Sequence, residues 1–180
     1  MERSLLAEVS RSKEVIRPIV AIVGRPNSGK TTLIEKLIPE LKSRGYRVAA
    51  IKHTSHSLEF DRPGKDSWRY TQAGSDAVAI VSPDRVVLIR PHRCDVGIEQ
   101  VAQLVGNDCD IVLAEGFKQS GVPKIEVHRK EIGPLLSSLV NLIAIVSDEP
   151  LDTSIRQFPQ DDRKGLADFL ETTFLRKTSR

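Results

Sequence analysis

The sequence has few cysteines and no long apolar segment. Its two cysteines, Cys94 and Cys109, form no CxxC pair, and this usage suits a reducing cytoplasm better than a disulfide framework. No apolar run approaches the roughly 18 residues that a membrane span requires, and the N-terminal stretch lacks the continuous apolar core of a signal peptide. We therefore expect a cytoplasmic protein that does not associate with membranes.

Basic residues are neither in large excess nor clustered. The net charge is only +3, from 27 Lys and Arg against 24 Asp and Glu, whereas a nucleic-acid-binding face requires a concentrated basic patch. We therefore expect no nucleic-acid partner. The hydrophobic content of 39% and charged content of 28% are those of an ordinary globular protein, and 180 residues are enough for one domain with a substantial core.

The most informative stretch is Gly24–Thr31, which matches the phosphate-binding loop G-x-x-x-x-G-K-[ST]. The Val- and Ile-rich run at 18–23 predicts a buried strand before it, and apolar residues at helical spacing predict a helix after it that closes at Gly45. In such loops the backbone N–H groups point at phosphate oxygens, the lysine reaches the β- and γ-phosphates and the threonine ligates Mg²⁺. We predict nucleotide binding by Pro26, Asn27, Ser28, Gly29, Lys30, Thr31 and Thr32, with Lys30 also the catalytic cation and Thr31 a metal ligand.

Strand and helix patterns alternate along the rest of the chain. Strands are predicted at 46–52, 110–114, 124–128 and 141–146, and helices at 66–74, 97–105 and 161–175. Pro39 is expected to kink its helix or end its first segment near Ile38, and Asp66 is expected to cap the helix that follows. Runs at 76–82 and 85–90, separated by Pro83-Asp84, predict a hairpin that joins the sheet.

This alternation predicts an α/β protein with the three-layer sandwich of P-loop NTPases, built on a mostly parallel sheet with an antiparallel hairpin. We expect a single nucleotide-binding domain over residues 18–175. An N-terminal extension at 1–17 and a basic tail at 176–180 would flank it.

Polar residues follow the carboxyl ends of several predicted strands, where sheets of this type bind ligands. Glu115 ends a buried run and precedes a glycine, so we predict that it is the carboxylate that Mg²⁺ needs beside Thr31. Ser147 and Asp148 follow another buried strand. They are either nucleotide-base contacts, with the aspartate accepting hydrogen bonds from guanine, or a plain strand-end turn.

The polar loop at 53–65 and the residues near it hold weaker candidates. Asp61 and Asp66 follow the second strand, and Asp66 is either a site residue or only a helix cap. His53 and His56 would make half a metal site, as would His92 with Cys94, but no third ligand is evident. Asp61-Arg62-Pro63-Gly64 looks like the DxxG of Ras-like and translation-type GTPases. No apolar strand leads into it, however, and no N-K-x-D occurs anywhere in the chain, which excludes that class.

Taken together, these stretches resemble the MobB family of molybdopterin-guanine dinucleotide biosynthesis adapters, in the P-loop class that contains nickel-insertion GTPases and dethiobiotin synthetase. The resemblance covers about residues 18–148. Its motifs are GRPNSGKTTLIEKLI, AAIKHTSHSLEFDRPGKDSWRYTQAGSDAVAI, and DIVLAEGFK followed by PKIEV. The middle stretch is the most specific of them, because many enzymes share the P-loop.

The resemblance implies GTP binding with slow hydrolysis, Mg²⁺ dependence and a homodimer. It also implies partnership with a MobA-like guanylyltransferase, which joins GMP to molybdopterin, so that the chain assists formation or delivery of the guanine dinucleotide. Asp61 or Asp66 would position water, and no arginine finger or activated base can be assigned, which suits slow turnover.

Two alternatives from other classes stay open at this point. One is a metallochaperone GTPase for nickel insertion, which requires a Cys/His ligand set. The other is an ATP-dependent small-molecule kinase or ligase with the loop at 53–65 as its acceptor site.

Overall fold

A computed structural model of the protein describes residues 17–54, 61–91, 96–105 and 108–175. The described residues form two compact units, the first within residues 1–53 and 98–180 and the second within residues 54–97. The strands of the described residues are β1 (Ile19–Val23), β2 (Val48–Lys52), β3 (Val78–Val81), β4 (Val86–Ile89), β5 (Ile111–Glu115), β6 (Lys124–His128), β7 (Leu142–Ser147) and β8 (Arg156–Pro159). The α-helices are α1 (Lys30–Ser43), α2 (Asp66–Gln72), α3 (Ile98–Leu104) and α4 (Arg163–Leu170).

The first unit is built on a six-stranded parallel sheet with the strand order β2-β5-β1-β6-β7-β8. The central strand β1 pairs Ile19 with Val112 of β5 on one side and Ala21 with Lys124 of β6 on the other. Because all six strands run in one direction, their carboxyl ends meet at a single edge. The loop that follows β1 therefore lies near the middle of that edge, which is the ligand-binding edge of α/β sheets.

Side chains that alternate along the strands form a core on each face of this sheet. Val20 and Ile22 of β1 lie in one cluster with buried residues of α1 and α4. Val112 and Ala114 of β5 lie in a second cluster with Ile98 of α3. Helices thus cover both faces, and the predicted α/β fold with three layers and a parallel sheet is confirmed.

Helix α1 continues through Pro39 to Ser43, so the end predicted near Ile38 does not occur. Leu37 and Leu41 lie on either side of the proline and are both fully buried in the core. Burying each leucine contributes about 1.5–3 kcal/mol, which offsets the roughly 3 kcal/mol that an interior proline costs. Tertiary packing therefore decides the length of this helix.

The second unit contains the predicted hairpin, but as a sheet of its own. Strands β3 and β4 are antiparallel, with Val78 opposite Ile89 and Val81 opposite Val86. The expectation that this pair joins the parallel sheet is wrong, because among the described residues β3 and β4 form a two-stranded sheet separate from the six-stranded one. The Ser82–Arg85 turn, closed by a 2.9 Å backbone hydrogen bond, specifies the pairing of the two strands. The pattern of apolar residues along β3 and β4 does not indicate pairing with a third strand.

Helix α2 of the second unit begins at the predicted place but is not capped by Asp66. The cap position is Lys65, whose backbone is extended, and no side chain caps the helix. Asp66 already lies in the first helical turn and forms an ion pair with Arg69 at 3.7 Å. The prediction that Asp66 is the helix cap is therefore wrong by one residue.

Two further features were not predicted from the sequence. Strand β8 adds a sixth strand beyond β7, with Phe158 opposite Val146, although only Phe158 of its four residues is buried. The predicted helix at 161–175 is α4 followed by a π-helical turn at Glu171–Leu175. Apart from Arg17, the predicted extension and the basic tail lie outside the described residues. Within those residues, no helix is both long enough and apolar enough to cross a membrane.

Candidate nucleotide-binding site

The loop between β1 and α1 has a backbone that requires glycine at its first position. Gly24 has φ 150°, and a Cβ at this position would lie 2.5 Å from the Val127 carbonyl oxygen of β6 and 2.6 Å from Ser28 Oγ. Asn27 and Gly29 have φ values of 62° and 97°, in the left-handed region that asparagine and glycine tolerate best. The loop therefore packs closely against β6 and turns its residues toward the start of α1.

Lys30 opens α1, and its ammonium group reaches back across the loop. Lys30 Nζ donates a 2.7 Å hydrogen bond to the Arg25 carbonyl oxygen. Partial burial lowers the pKa of Lys30, while the nearby Glu115 carboxylate acts in the opposite direction. The cation is thus held over the loop, where a lysine of this motif meets phosphate oxygens.

Thr31 and Glu115, the two predicted metal ligands, lie in direct contact. The Thr31 hydroxyl donates a 2.8 Å hydrogen bond to Glu115 Oε2. Glu115 reaches this position because it ends β5 in register with Ile22 of β1. Its side chain is only 15% exposed, and Lys52 Nζ lies 3.6 Å from the same oxygen. A hydroxyl and a carboxylate are oxygen ligands of the kind that Mg²⁺ prefers, so these residues fit the ion.

His53 stabilises the turn that carries Glu115. Its backbone N–H donates a 2.9 Å hydrogen bond to the Glu115 carbonyl oxygen, and its ring packs against Phe117 with centroids 4.7 Å apart. Gly116 has φ 98°, and a Cβ there would lie 3.1 Å from the His53 Cβ. The proposed partner residues His56, His92 and Cys94 lie outside the described residues. In the described ranges no group of three or more His, Cys, Asp or Glu residues is arranged to hold a metal ion.

Ser147, the last residue of β7, and Asp148, which follows it, line an open cleft of about 300 Å³ together with Phe158. Ser147 Oγ donates a 2.7 Å hydrogen bond to the Glu149 carbonyl oxygen, and Asp148 Oδ1 accepts a 3.0 Å hydrogen bond from the backbone N–H of Lys130. Ligand pockets have volumes of about 300–1,000 Å³. The cleft therefore has the size of a ligand site, while both residues also make the contacts of a strand-end turn.

A second, small cleft, of about 30 Å³, adjoins the phosphate loop on the side of β6. Sequence reasoning missed two of its polar residues, Arg129 and Gln160. The available signal was that Arg129 directly follows a predicted strand at the ligand-binding edge. The polar side chains and loop atoms lining this cleft belong to Ser28, Gly29, Thr32, Lys36, Arg129 and Gln160.

Strand β6 carries an unusual buried carboxylate near the loop. Glu126 is 1% exposed, and its Oε1 accepts a 2.7 Å hydrogen bond from the backbone N–H of Leu136. Burial raises the pKa of Glu126, and its Oε2 has no hydrogen-bond partner among the described residues. Glu126 also lines a narrow crevice with Ser28 and Arg129, which is too small to hold a water molecule.

The two remaining predicted site residues, Asp61 and Asp66, lie in the second unit. Asp61 Oδ1 accepts 2.9 Å hydrogen bonds from the Ser67 hydroxyl and from the backbone N–H of Arg62. Its Oδ2 is buried and has no partner among the residues that the structure describes. Asp66 is exposed and pairs with Arg69.

Comparison with known proteins gives a consistent result. Residues 19–148 match the family model described as Molybdopterin guanine dinucleotide synthesis protein B. The molybdopterin-guanine dinucleotide biosynthesis adapter proteins of Haemophilus influenzae and Escherichia coli are 39% and 36% identical, over 86% and 85% of this chain and 88% and 91% of theirs. The crystal structure of Bacillus subtilis MobB, 30% identical, superposes with a TM-score of 0.68 over 87% of this chain and 98% of its own. The chain therefore belongs to the MobB family.

Proposed function

We propose that this protein is a GTP-binding adapter with slow GTPase activity, which assists a MobA-like guanylyltransferase in forming or delivering molybdopterin guanine dinucleotide. The observation that carries the proposal is the 2.8 Å contact between Thr31 and Glu115 beside the Lys30 ammonium. The adapter role comes from the family and from the names of the relatives.

Each residue of the site would have a separate role in triphosphate binding. Lys30 and the loop amides would stabilise the negative charge of the phosphates. Thr31 and Glu115 would hold Mg²⁺, which neutralises phosphate charge when it is bound. Ser147 and Asp148 would contact the base from the end of β7, and their position on an open cleft supports this assignment.

Asp61 or Asp66 would position the attacking water during slow hydrolysis of GTP. Asp61 is the better supported of the two, because its Oδ2 is buried and lacks a partner in the described part of the chain. Asp66 is engaged by Arg69 on an exposed helical turn. We therefore propose that binding and handing over the nucleotide is the main role of the protein, and that hydrolysis is incidental.

The hairpin of the second unit supports the proposed homodimer. Large apolar side chains on β3 and β4 are 41–73% exposed: Ile80, Val81, Val86, Val87 and Leu88. Exposed apolar surface of this kind marks protein interaction sites. We propose that the homodimer forms through this hairpin. We also propose that the protein acts in the cytoplasm, and that its guanylyltransferase partner carries molybdopterin as substrate.

Calorimetric titration tests the proposal. GTP and ATP, each with Mg²⁺, would be titrated into the purified protein with and without a molybdopterin-loaded guanylyltransferase. Preference for GTP together with complex formation is expected. Preference for ATP without a complex would overturn the proposal in favour of a kinase or ligase, and tight stoichiometric binding of Ni²⁺ or Zn²⁺ to the nucleotide-free protein would favour a metallochaperone.

We expect Glu115→Gln to raise the Mg²⁺ concentration required for tight GTP binding by about tenfold, because the amide keeps the shape of the side chain but removes the ligand's charge. Nucleotide binding without metal should persist. The measurement is GTP affinity as a function of Mg²⁺ concentration, with Glu99→Gln on the exposed surface of α3 as the control. An unchanged Mg²⁺ requirement in Glu115→Gln would show that Glu115 has only a structural role.

A further inference from the structure

Arg129 lies beside the phosphate loop, and its guanidinium Nε has no hydrogen-bond partner among the residues that the structure describes. We propose that Arg129 binds the α-phosphate of the nucleotide, as a second cation on the side of the loop opposite the metal ligands. This inference rests on the proposed function, because it assigns a further residue to the same site.

The first observation is the hydrogen bonding of Arg129. Its Nε is buried and has no partner in the described residues. It makes an ion pair with Glu131, whose carboxylate is 73% exposed and lies 3.7 Å from Nη1, a separation too long for a hydrogen bond. A guanidinium presents five N–H donors in a rigid fork that matches the oxygens of a phosphate. A buried donor without an acceptor is costly, so this side chain is arranged for an acceptor from outside the described chain.

The second observation is the location of the Arg129 guanidinium group. A Cβ at Gly29 would lie 3.5 Å from Arg129 Nη2, so the guanidinium lies against the loop itself. Arg129 also lines the small cleft beside the loop with Thr32 and Lys36 of α1. A phosphate seated on the loop would therefore be within reach of this cation.

The third observation is the order of the strands, which selects the α-phosphate. Glu115 approaches the loop from β5 on one side of β1, and Arg129 follows β6 on the other side. Thr31 and Glu115 would hold Mg²⁺, which would neutralise charge on the terminal phosphates of the nucleotide. The opposite side, toward β6 and the cleft at the end of β7, is therefore where the α-phosphate and the nucleoside would lie.

Ser28 provides independent support for a polar ligand here. Its hydroxyl is buried, the residue being only 1% exposed, and it has no hydrogen-bond partner among the described residues. Ser28 lines the same cleft as Arg129. Two residues that line one cleft beside the phosphate loop thus each have a buried polar atom without a partner in the described part of the chain.

The test compares the affinities of GTP and GDP for wild-type protein, Arg129→Ala, Arg129→Lys and Lys130→Ala by calorimetry with Mg²⁺. Both nucleotides carry the α-phosphate, so Arg129→Ala should lose about tenfold or more in affinity for each, by the same factor. Arg129→Lys should lose less affinity, because lysine retains the positive charge but not the planar guanidinium with its several N–H donors. Lys130→Ala, a neighbouring cation that is 77% exposed and paired with Glu149, should be unchanged within about twofold.

The possible outcomes separate this inference from the proposed function. Unchanged affinity in Arg129→Ala, with or without a lower melting temperature, would overturn the inference and leave Arg129 a structural residue. A loss confined to GTP would also overturn it, because it would place Arg129 at the γ-phosphate. If the wild-type protein bound neither nucleotide, the proposed function itself would fail.

Discussion

Lys30→Ala is expected to weaken GTP binding by about 100-fold, because it removes a cation that makes charge-assisted hydrogen bonds to two phosphates. In the structure the ammonium already lies over the loop, hydrogen-bonded to the Arg25 carbonyl oxygen at 2.7 Å. Binding therefore requires little movement of this side chain. The loss should be larger for GTP than for GDP, since the lysine reaches both the β- and γ-phosphates.

Calorimetric titration of the two nucleotides measures this effect directly. Lys42→Ala is the matched control, because Lys42 is an exposed lysine in the last turn of the same helix. The control should bind like the wild type. If Lys30→Ala retained wild-type affinity, the loop after β1 would not be the triphosphate site, and the proposed site would have to be abandoned.

Gly24→Ala is expected to destabilise the folded protein by about 3 kcal/mol or more, since it combines backbone strain with a severe contact. A Cβ at Gly24 would lie 2.5 Å from the Val127 carbonyl oxygen, a backbone atom of a central strand that cannot easily move. The backbone φ of 150° is also unfavourable for alanine. The loop and β6 would have to separate, so nucleotide binding should be lost as well.

Two glycine controls separate these contributions in urea unfolding. Gly45→Ala also has a positive φ, of 88°, but no atom lies within 4 Å of the added Cβ, so it reports strain alone at about 1–2 kcal/mol. Gly121→Ala has neither feature and should be nearly neutral. A loss at Gly24 no greater than that at Gly45 would contradict the proposed clash with β6.

The sequence predicted most of the fold and the position of Glu115 beside Thr31, because those features depend on local patterns. Apolar runs identified β1 and β5, and the order of strand, loop and helix located Thr31. Glu115 was found because it ends a buried run, and parallel strands bring their carboxyl ends to one edge. Its contact with Thr31 then follows from the pairing of β1 with β5. The metal ion itself is still a prediction.

The features that were missed or predicted wrongly depend on contacts distant in sequence. Pro39 does not end its helix, because Leu37 and Leu41 are buried in a core that later strands complete. Strand β8 has one buried residue, so its pattern carries almost no strand signal. Arg129 was not predicted as a site residue, because it is the packing of β6 beside β1 that places it against Gly29.

The central position of β1 also determines when the phosphate loop acquires its shape during synthesis. Both neighbours of β1 come from the second half of the chain, since Ile19 pairs with Val112 and Ala21 with Lys124. Pairing between such distant segments is slow, because the long intervening chain must be ordered first. Until residues 111–128 have left the ribosome, the loop lacks both Glu115 and the Val127 backbone. A nascent chain that stops earlier would carry the whole phosphate-binding motif without a phosphate-binding site.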